Sequence, residues 1–294
     1  MTDKINVALI QSSYRKDIEY NIDKNISSIK EARKSGADLI VLSELHNSLY
    51  FCQKEDAKFF ELSETIPGKS TKIYGEISKK FNLILLISIF EKRTKGIYHN
   101  TAVLLDKGEI AGIYRKMHIP DDPKYYEKFY FTPGDLGFNP ISTSIGKIGV
   151  LICWDQWYCE AARIMCLKGA EILVCPTAIG WEPSDSQDEK QRQLESWITV
   201  QRAHSISNGV YLLSANRVGN EKVDDVSEGI DFWGSSFICG PQGEIIKMAN
   251  STREEIIYAE IDLTRVEKVR QMWPFLRDRR IDNYEEILER FIDY

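Results

Sequence analysis

Short apolar runs recur along the chain, separated by longer segments that mix apolar and polar residues. The runs lie at residues 6–12, 38–44, 83–90, 148–152 and 171–176. A continuous apolar run of four to eight residues is typical of a strand that is buried on both faces. These runs therefore predict strands in a sheet that is covered by helices.

The segments between the runs repeat apolar residues at helical spacing. In residues 21–35 the side chains of Ile22, Ile26 and Ile29 fall on one helical face, and Gly36 follows as a stop signal. Helices are also predicted at residues 70–80, between residues 153 and 171, and at residues 188–208. Further strands are predicted at residues 99–106 and 108–116, which form a hairpin, and at 210–216, 235–240, 244–249 and 256–262.

Strands and helices that alternate in this way indicate an α/β fold. The stretches KSGADLIVLSE (34–44) and LKGAEILVCPT (167–177) are alike, which suggests two similar halves packed sheet against sheet. Chance similarity between two common turns is the alternative interpretation. No linker rich in Pro, Gly or Ser divides the chain, so we expect a single domain over residues 1–294, with a mostly helical, polar tail at residues 264–294.

Composition excludes several classes of protein. The net charge of −6 and the pI near 5.5 disfavour a nucleic-acid partner, which requires a basic surface. The sequence contains no apolar run of the roughly 20 residues that span a membrane, and its start has no signal-peptide pattern. We therefore expect a cytoplasmic protein whose six cysteines are reduced thiols. Their spacing does not match the usual zinc sites, and we expect no metal.

Three reactive side chains follow predicted strands. Glu44 ends the run at 38–44, Lys116 ends the second strand of the hairpin, and Cys153 follows the run at 148–152. Strand ends are where α/β folds build active sites. Each residue alone has an ordinary explanation, since a Glu or Lys after a strand is usually solvated and a lone Cys is often a buried core residue.

Together the three residues form a chemically complete set. A thiol with a pKa near 8.5 is mostly protonated at neutral pH, so a nucleophilic Cys153 needs a base and a cation. Glu44 supplies the base and Lys116 the cation, and the backbone N–H of Trp154 is a further candidate oxyanion donor. The alternative is a Cys–His pair. The local signatures of known Cys–His proteases are absent, and we interpret His118 as structural.

The segments around these residues resemble the nitrilase, or carbon–nitrogen hydrolase, superfamily. They are LSEL around Glu44, YRKMHIPDD around Lys116 and ICWDQWYCEAAR around Cys153, and they occur in the superfamily's order. The resemblance extends over essentially the whole chain. It implies a four-layer α-β-β-α sandwich with mixed sheets and helices on the outer faces, frequently assembled as a homo-oligomer of two or more subunits.

The resemblance also implies catalytic roles. Cys153 would be the nucleophile, Glu44 the general base and Lys116 the cation that stabilises the oxyanion. Glu127, in the stretch YYEKF, matches a second glutamate that positions the lysine or the substrate. An ordinary surface carboxylate is the alternative for Glu127. The chemistry requires no cofactor.

Four further stretches resemble the N-carbamoylputrescine amidases within this superfamily. They are YYEKFYFTPGDLGF, ICWDQW, CPTAIGWEP and SANRVG. The implied reaction is hydrolysis of a small ureide to putrescine, ammonia and carbon dioxide, which is a step of polyamine synthesis. The chain departs from the family near the expected cavity mouth, where it has Asp122, Lys124, His46, Asn47 and Trp181. These departures bear on the substrate range rather than on the chemistry.

A substrate that ends in an ammonium group needs a carboxylate partner. Glu182, in the GWEP stretch, is our first candidate for this partner, and Asp155 and Asp122 are the others. The substrate-binding wall is predicted to contain Trp154, Trp157 and Trp181, which suit a four-carbon chain and a cation. Simple core packing is the alternative role for these tryptophans.

Two other functions remain open from the sequence. A ureide that ends in a carboxylate, such as N-carbamoyl-β-alanine, would need a basic partner, and Arg217 and Arg163 are the candidates. A catalytically silent binding protein is the second alternative. It is disfavoured because all three chemical positions are filled.

Overall fold

The computed structural model describes residues 4–225 and 228–293, and two six-stranded sheets form its centre. In the described residues the strands of these sheets are β1 (Lys4–Gln11), β2 (Leu39–Val41), β3 (Ile84–Thr94), β4 (Ile97–Asp106), β5 (Glu109–Arg115), β6 (Ile141–Thr143), β7 (Gly146–Val150), β8 (Ile172–Pro176), β10 (Tyr211–Ala215), β13 (Phe237–Cys239), β14 (Ile245–Met248) and β15 (Glu255–Asp262). A smaller sheet contains β9 (Gly180–Trp181), β11 (Val218–Glu221) and β12 (Ile230–Trp233). The α-helices are α1 (Ile18–Lys34), α2 (Lys69–Phe81), α3 (Cys159–Leu167), α4 (Gln187–Asn208) and α5 (Thr264–Met272).

The two large sheets have matching topologies. The first has the order β15-β1-β2-β3-β4-β5 and the second the order β14-β13-β10-β8-β7-β6. In the first sheet β1, β2 and β3 are parallel and are linked through α1 and α2. In the second, β7, β8 and β10 are parallel and are linked through α3 and α4. The two similar sequence stretches thus lead into equivalent central strands, β2 and β8.

Glycine ends the helix before each of these central strands. Gly36 follows α1 with φ of 97°, and Gly169 follows α3 with φ of 95°. At both positions the next residue turns back: Ala37 N donates to Ala32 O, and Ala170 N donates to Met165 O, each over 3.1 Å. A positive φ is easily reached only by glycine, which explains why both copies of the stretch keep it.

Alternation along the strands divides the core into layers. Val7 and Leu9 belong to the apolar cluster between the sheets, whereas Ala8 and Ile10 belong to the cluster under α1 and α2. On the second sheet α3 packs so closely that a Cβ added at Gly149 would lie 3.1 Å from the Cβ of Met165. The result is helices, sheet, sheet and helices, which is the predicted four-layer sandwich.

Most predicted elements are present, with boundaries that differ by a few residues. The run at 38–44 forms a strand only from Leu39 to Val41, so Glu44 lies just beyond the strand. The small sheet of β9, β11 and β12 was not predicted. Its strands have two to four residues, which is too short for a periodic pattern to appear.

The prediction of a mostly helical tail is wrong beyond α5. After Met272 the described chain continues in turns and in two short 3₁₀ segments, Ile281–Asn283 and Glu285–Leu288. Pro274 explains the end of α5, because the residue before a proline avoids the α conformation. Within the described ranges no helix is both long and apolar enough to span a membrane.

Candidate active site

Cys153 lies on a sharp elbow between β7 and α3. It has a φ of 45°, and it opens a 3₁₀ turn, Cys153–Trp157, three residues after β7 ends. Asp155 holds this elbow, because its Oδ2 accepts a hydrogen bond from the backbone N of Ile152 over 3.1 Å. A non-glycine residue with positive φ is strained, and such residues concentrate at functional sites.

Asp155 was predicted as a candidate partner for the substrate ammonium, but its side chain does not line the cavity that Cys153 lines. Its side chain is fully buried, and it accepts hydrogen bonds from the hydroxyl of Tyr114 over 2.8 Å and from the backbone N of His118 over 2.9 Å. The His118 ring also contacts Asp155 through Nδ1, at 2.7 Å. Asp155 therefore connects the elbow to the segment after β5, and His118 has the structural place expected for it.

Lys116 lies between two carboxylates. Its Nζ donates to Glu44 Oε1 over 2.9 Å, to Glu127 Oε1 over 2.8 Å and to Glu127 Oε2 over 2.7 Å. All three side chains are completely buried. The structure thus brings Glu44 together with Lys116 and Glu127, which lie far from it in the sequence.

Two neighbours complete this buried cluster and were missed by sequence reasoning. Asn100 Nδ2 donates to Glu44 Oε1 over 2.6 Å, and the hydroxyl of Tyr50 donates to Glu127 Oε1 over 2.7 Å. Asn100 lies on β4 opposite the strand that leads to Lys116, whose backbone N donates to Asn100 O over 2.9 Å. No motif marks Asn100 or Tyr50, since their roles depend on long-range pairing.

Glu44 keeps one oxygen available. Within residues 4–225 and 228–293, its buried Oε2 has no hydrogen-bond partner, whereas Oε1 accepts from Asn100 and Lys116. A buried carboxylate oxygen without a donor is costly, and such an atom commonly has a functional role. It is in a position to accept a proton.

Arg217 is a scaffold for Glu44 and does not contact the cavity. Its guanidinium donates to the carbonyl oxygens of Glu44, Leu45 and Ser48 at 2.7–3.1 Å, and it forms an ion pair with Glu221 at 2.8 Å. Arg163 donates to Ser207 O instead. Neither arginine is therefore available to bind a substrate carboxylate, and these two expectations are wrong.

Burial and charge set the protonation of the cluster. Burial by itself lowers the pKa of Lys116, but the carboxylates of Glu127 and Glu44 outweigh it and raise that pKa well above its usual value. Burial and the charge of Glu44 raise the pKa of Cys153 well above its usual value, with a partial offset from Lys116. Lys116 is thus a permanent cation, and Cys153 is a thiol that needs a base.

Glu127 is the group whose protonation responds near neutral pH. Burial raises its pKa to about 7, the charge of Lys116 lowers it in part, and the charge of Glu44 adds to the rise. The hydrogen bond from Tyr50 stabilises the carboxylate form. Burial is the main cause of the raised pKa, and the second carboxylate, which shares the same ammonium, adds to it.

Cys153 lines a cavity of about 640 Å³. Four tryptophans contribute to the walls, namely Trp154, Trp157, Trp181 and Trp233. Trp233 was not predicted, because it comes from the small sheet. The charged residues that line the cavity are Asp122, Lys124, Glu182, Asp185, Glu189 and Arg192. The cavity therefore combines a thiol, an aromatic wall and charged residues that are mainly acidic.

Glu182 lines this cavity, but its carboxylate is already paired with the ammonium group of Lys124. Lys124 Nζ donates to Glu182 Oε1 and, over 2.9 Å, to the carbonyl oxygen of Gly229. His46 and Asn47, expected near the cavity mouth, lie elsewhere. His46 is buried against Tyr74, and Asn47 lines a different, smaller cavity.

A metal site is not evident in the part of the chain that the structure describes. There, no group of three or more His, Cys, Asp or Glu side chains could hold a metal ion.

The arrangement of Cys153, Glu44 and Lys116 suits nucleophilic attack on a carbonyl carbon. A thiol, an unpartnered carboxylate oxygen and a fixed cation are the groups that acyl transfer uses.

Known proteins share both the sequence and the fold. The N-carbamoylputrescine amidase of Oryza sativa subsp. japonica is 41% identical over 288 residues, which cover 97% of this chain and 95% of that protein. The citrullinase of Francisella tularensis is also 41% identical, over 98% of this chain and 99% of its own. A carbon-nitrogen hydrolase structure from Helicobacter pylori has 52% identity and a TM-score of 0.95, covering 98% of this chain and all of that one.

The relatives share C–N bond hydrolysis but differ in substrate. Residues 6–271 match the carbon-nitrogen hydrolase family. The match includes the elbow at Cys153 and all three members of the buried cluster. On this evidence the chain belongs to the carbon-nitrogen hydrolase family and is a hydrolase that acts on carbon–nitrogen bonds.

Proposed function

We propose that this enzyme hydrolyses N-carbamoylputrescine to putrescine, ammonia and carbon dioxide through a thioester on Cys153. The observation that carries the proposal is the composition of the cavity around Cys153. Four of its charged lining residues are acidic and two are basic. An aromatic-walled cavity whose charged residues are mainly acidic suits an alkyl ureide that ends in an ammonium group.

The first half of the reaction forms the thioester. The unpartnered Oε2 of Glu44 takes the thiol proton, and the Cys153 sulfur attacks the ureido carbonyl carbon. Lys116 stabilises the negative charge that develops on the carbonyl oxygen, together with the Trp154 backbone N–H. Glu44 then returns the proton to the departing NH₂ group, which leaves as ammonia.

The second half releases the product. Glu44 takes a proton from a water molecule, which attacks the carbamoyl thioester and displaces the Cys153 sulfur. The sulfur recovers its proton from Glu44, and the product is an N-alkyl carbamic acid. Loss of carbon dioxide from this acid leaves the diamine. Glu127 keeps Lys116 in place throughout, through its two hydrogen bonds.

Glu182 is our candidate for binding the substrate ammonium. It lies among the acidic lining residues, and its side chain is 36% exposed, so that a ligand can reach it. The paired Lys124 adds a positive charge beside it. Arg217 and Arg163, the two predicted partners for the carboxylate of N-carbamoyl-β-alanine, do not line this cavity.

Citrulline is the second candidate substrate. It is a ureide whose far end carries both an ammonium and a carboxylate, and Lys124 beside Glu182 offers one charge of each sign. The Francisella tularensis relative is named a citrullinase at 41% identity. Side-by-side measurement of kcat/KM for the two ureides tests the choice, and a preference for citrulline would contradict our proposal.

Removal of the nucleophile tests the thioester. We expect Cys153→Ala to abolish ammonia release while the protein remains folded, as checked by circular dichroism. Cys159→Ser is the control, because Cys159 is exposed and lies outside the cavity. Iodoacetamide should inactivate the Cys159→Ser variant by labelling Cys153, and it should do so slowly because Cys153 rests as a thiol. Turnover by Cys153→Ala above background would rule out this mechanism.

The two charged partners of Cys153 should act as one unit. Glu44→Gln removes proton transfer, which typically contributes 10²–10⁴-fold. Lys116→Ala removes an oxyanion donor, with a loss of roughly 10²–10³-fold in kcat. The double variant should lose less than the product of the two losses, because a single step uses both groups. Strictly multiplicative losses in kcat would argue for independent sites.

The pKa of Glu127 predicts the acid side of the pH profile. Below pH 7 Glu127 is increasingly protonated and holds Lys116 less well, so kcat/KM should fall as the pH decreases through about 7. Tyr50→Phe removes a hydrogen bond that stabilises the carboxylate, and it should move this limb to higher pH by roughly one pH unit.

Tyr98→Phe is the control for this measurement. Tyr98 packs against the same aromatic cluster as Tyr50, but its hydroxyl does not hydrogen-bond to Glu127 or Lys116 in the described part of the chain. It should leave the acid limb where it is in the unmodified enzyme. A limb that stays in place in Tyr50→Phe would show that Glu127 does not control the profile.

The charge of Glu182 tests the substrate assignment. Glu182→Gln should lower kcat/KM for N-carbamoylputrescine by about 5- to 10-fold. This is less than the roughly tenfold or more of a buried charged hydrogen bond, because partial exposure screens the pair. N-Butylurea, which is uncharged at the far end, should lose little. Equal losses on both ureides would reject Glu182 as the ammonium partner.

A further inference from the structure

Lys124 occupies a turn position that ordinarily takes glycine. Residues 122–125 form a β-turn in which the backbone N of Tyr125 donates to Asp122 O over 2.8 Å. Pro123 and Lys124 are its central residues, and Lys124 has a φ of 66°. Proline followed by a residue with positive φ is the pattern of a type II turn, and the second position favours glycine. A lysine here strains the backbone, which suggests that its side chain has a role.

The side chain of Lys124 connects three segments at the wall of the cavity. Its Nζ donates to Glu182, which follows β9, and to the carbonyl oxygen of Gly229, which precedes β12. The turn and Cys153 both contribute to the lining of this cavity. A primary ammonium therefore already binds the carboxylate that we assign to the substrate's ammonium.

We propose that Lys124 is a specificity-determining residue whose ammonium competes with the ammonium of the substrate, and with that of the diamine product, for Glu182. The inference rests on the proposed function for the identity of the substrate. The competition itself is a property of binding and does not require turnover.

The ion pair is weak enough to be displaced. The side chains of Lys124 and Glu182 are 21% and 36% exposed, and pairs with this exposure contribute little. Displaced from Glu182, Lys124 still has Gly229 O and solvent as acceptors. The other charged groups that line the cavity are Asp122, Asp185, Glu189 and Arg192. Of these, Arg192 is itself paired with Glu189.

This competition has a consequence for product release. Putrescine retains the ammonium group that bound Glu182, so a strong ammonium site would also hold the product. A tethered competitor lowers the affinity for both molecules by a similar factor. Lys124 thus lowers the affinity for the substrate and makes the release of the diamine product faster.

Binding to an inactive enzyme measures the competition directly. In the Cys153→Ala background we compare putrescine affinity, by calorimetry, between Lys124 and Lys124→Met, which keeps the length of the side chain but not its charge. The Met variant should bind putrescine roughly 2- to 5-fold more tightly, since an exposed pair contributes about 1 kcal/mol at most and that corresponds to about fivefold. The affinity for N-butylurea, which carries no ammonium, should stay the same. The ratio of its affinity to that of putrescine should therefore fall by the same factor.

A second variant guards against a folding defect. Lys124→Gly suits the turn, removes the same charge, and should give the same gain in putrescine affinity together with a higher Tm. Lys4→Met is the matched control. It removes a surface ion pair between Lys4 and Glu260, and neither residue lines the cavity. It should leave the affinity for putrescine unchanged.

The outcomes separate this inference from the proposed function. Tighter putrescine binding by both Lys124 variants supports the inference even if the unmodified enzyme fails to hydrolyse N-carbamoylputrescine, which would reject only the proposed function. Unchanged or weaker putrescine binding in both variants overturns the inference. That result, together with normal hydrolysis of N-carbamoylputrescine, would leave the proposed function intact.

Discussion

The burial of Lys116 between Glu44 and Glu127 is the constraint on which the rest of the site depends. A lone ammonium or carboxylate in a protein interior is very unfavourable. Lys116 is tolerated here because the two carboxylates are present, and each carboxylate is tolerated because Lys116 is present. The cluster needs supporting donors, and Asn100 and Tyr50 supply them. Loss of the Lys116 charge would leave two buried carboxylates without a cation, which makes it the most unfavourable single removal in the cluster.

The same constraint explains why Cys153 remains a thiol in the resting enzyme. Its surroundings carry two carboxylates and one ammonium, and burial adds to their net negative effect on thiol ionisation. Reactivity must therefore be generated when the substrate is bound, through transfer of the proton to Glu44. A thiol that stays protonated in the free enzyme is also less prone to oxidation, because the thiolate is the reactive form.

The sequence predicted those parts of the fold and the site that depend on local patterns. The buried strands, the glycine stops at Gly36 and Gly169, and the placing of Glu44, Lys116 and Cys153 near strand ends all leave a periodic or positional trace. Asn100 and Tyr50 leave none, because each acquires its partner through strand pairing or loop packing. Arg217 was misassigned for a similar reason, since only the folded backbone places its guanidinium against the carbonyl oxygens after β2.

The matching topology of the two sheets has a further consequence for how the reaction centre is assembled. Glu44, Lys116 and Glu127 come from the half of the chain that builds the first sheet, and Cys153 comes from the half that builds the second. Among the contacts that join the halves at this point, Glu44 N donates to Thr177 O over 3.3 Å, and Arg217 donates to Glu44 O. Neither half contains a reactive centre by itself. Substitutions in the core between the sheets can therefore change the turnover rate from a distance, by altering how the acid–base half sits against the nucleophile half.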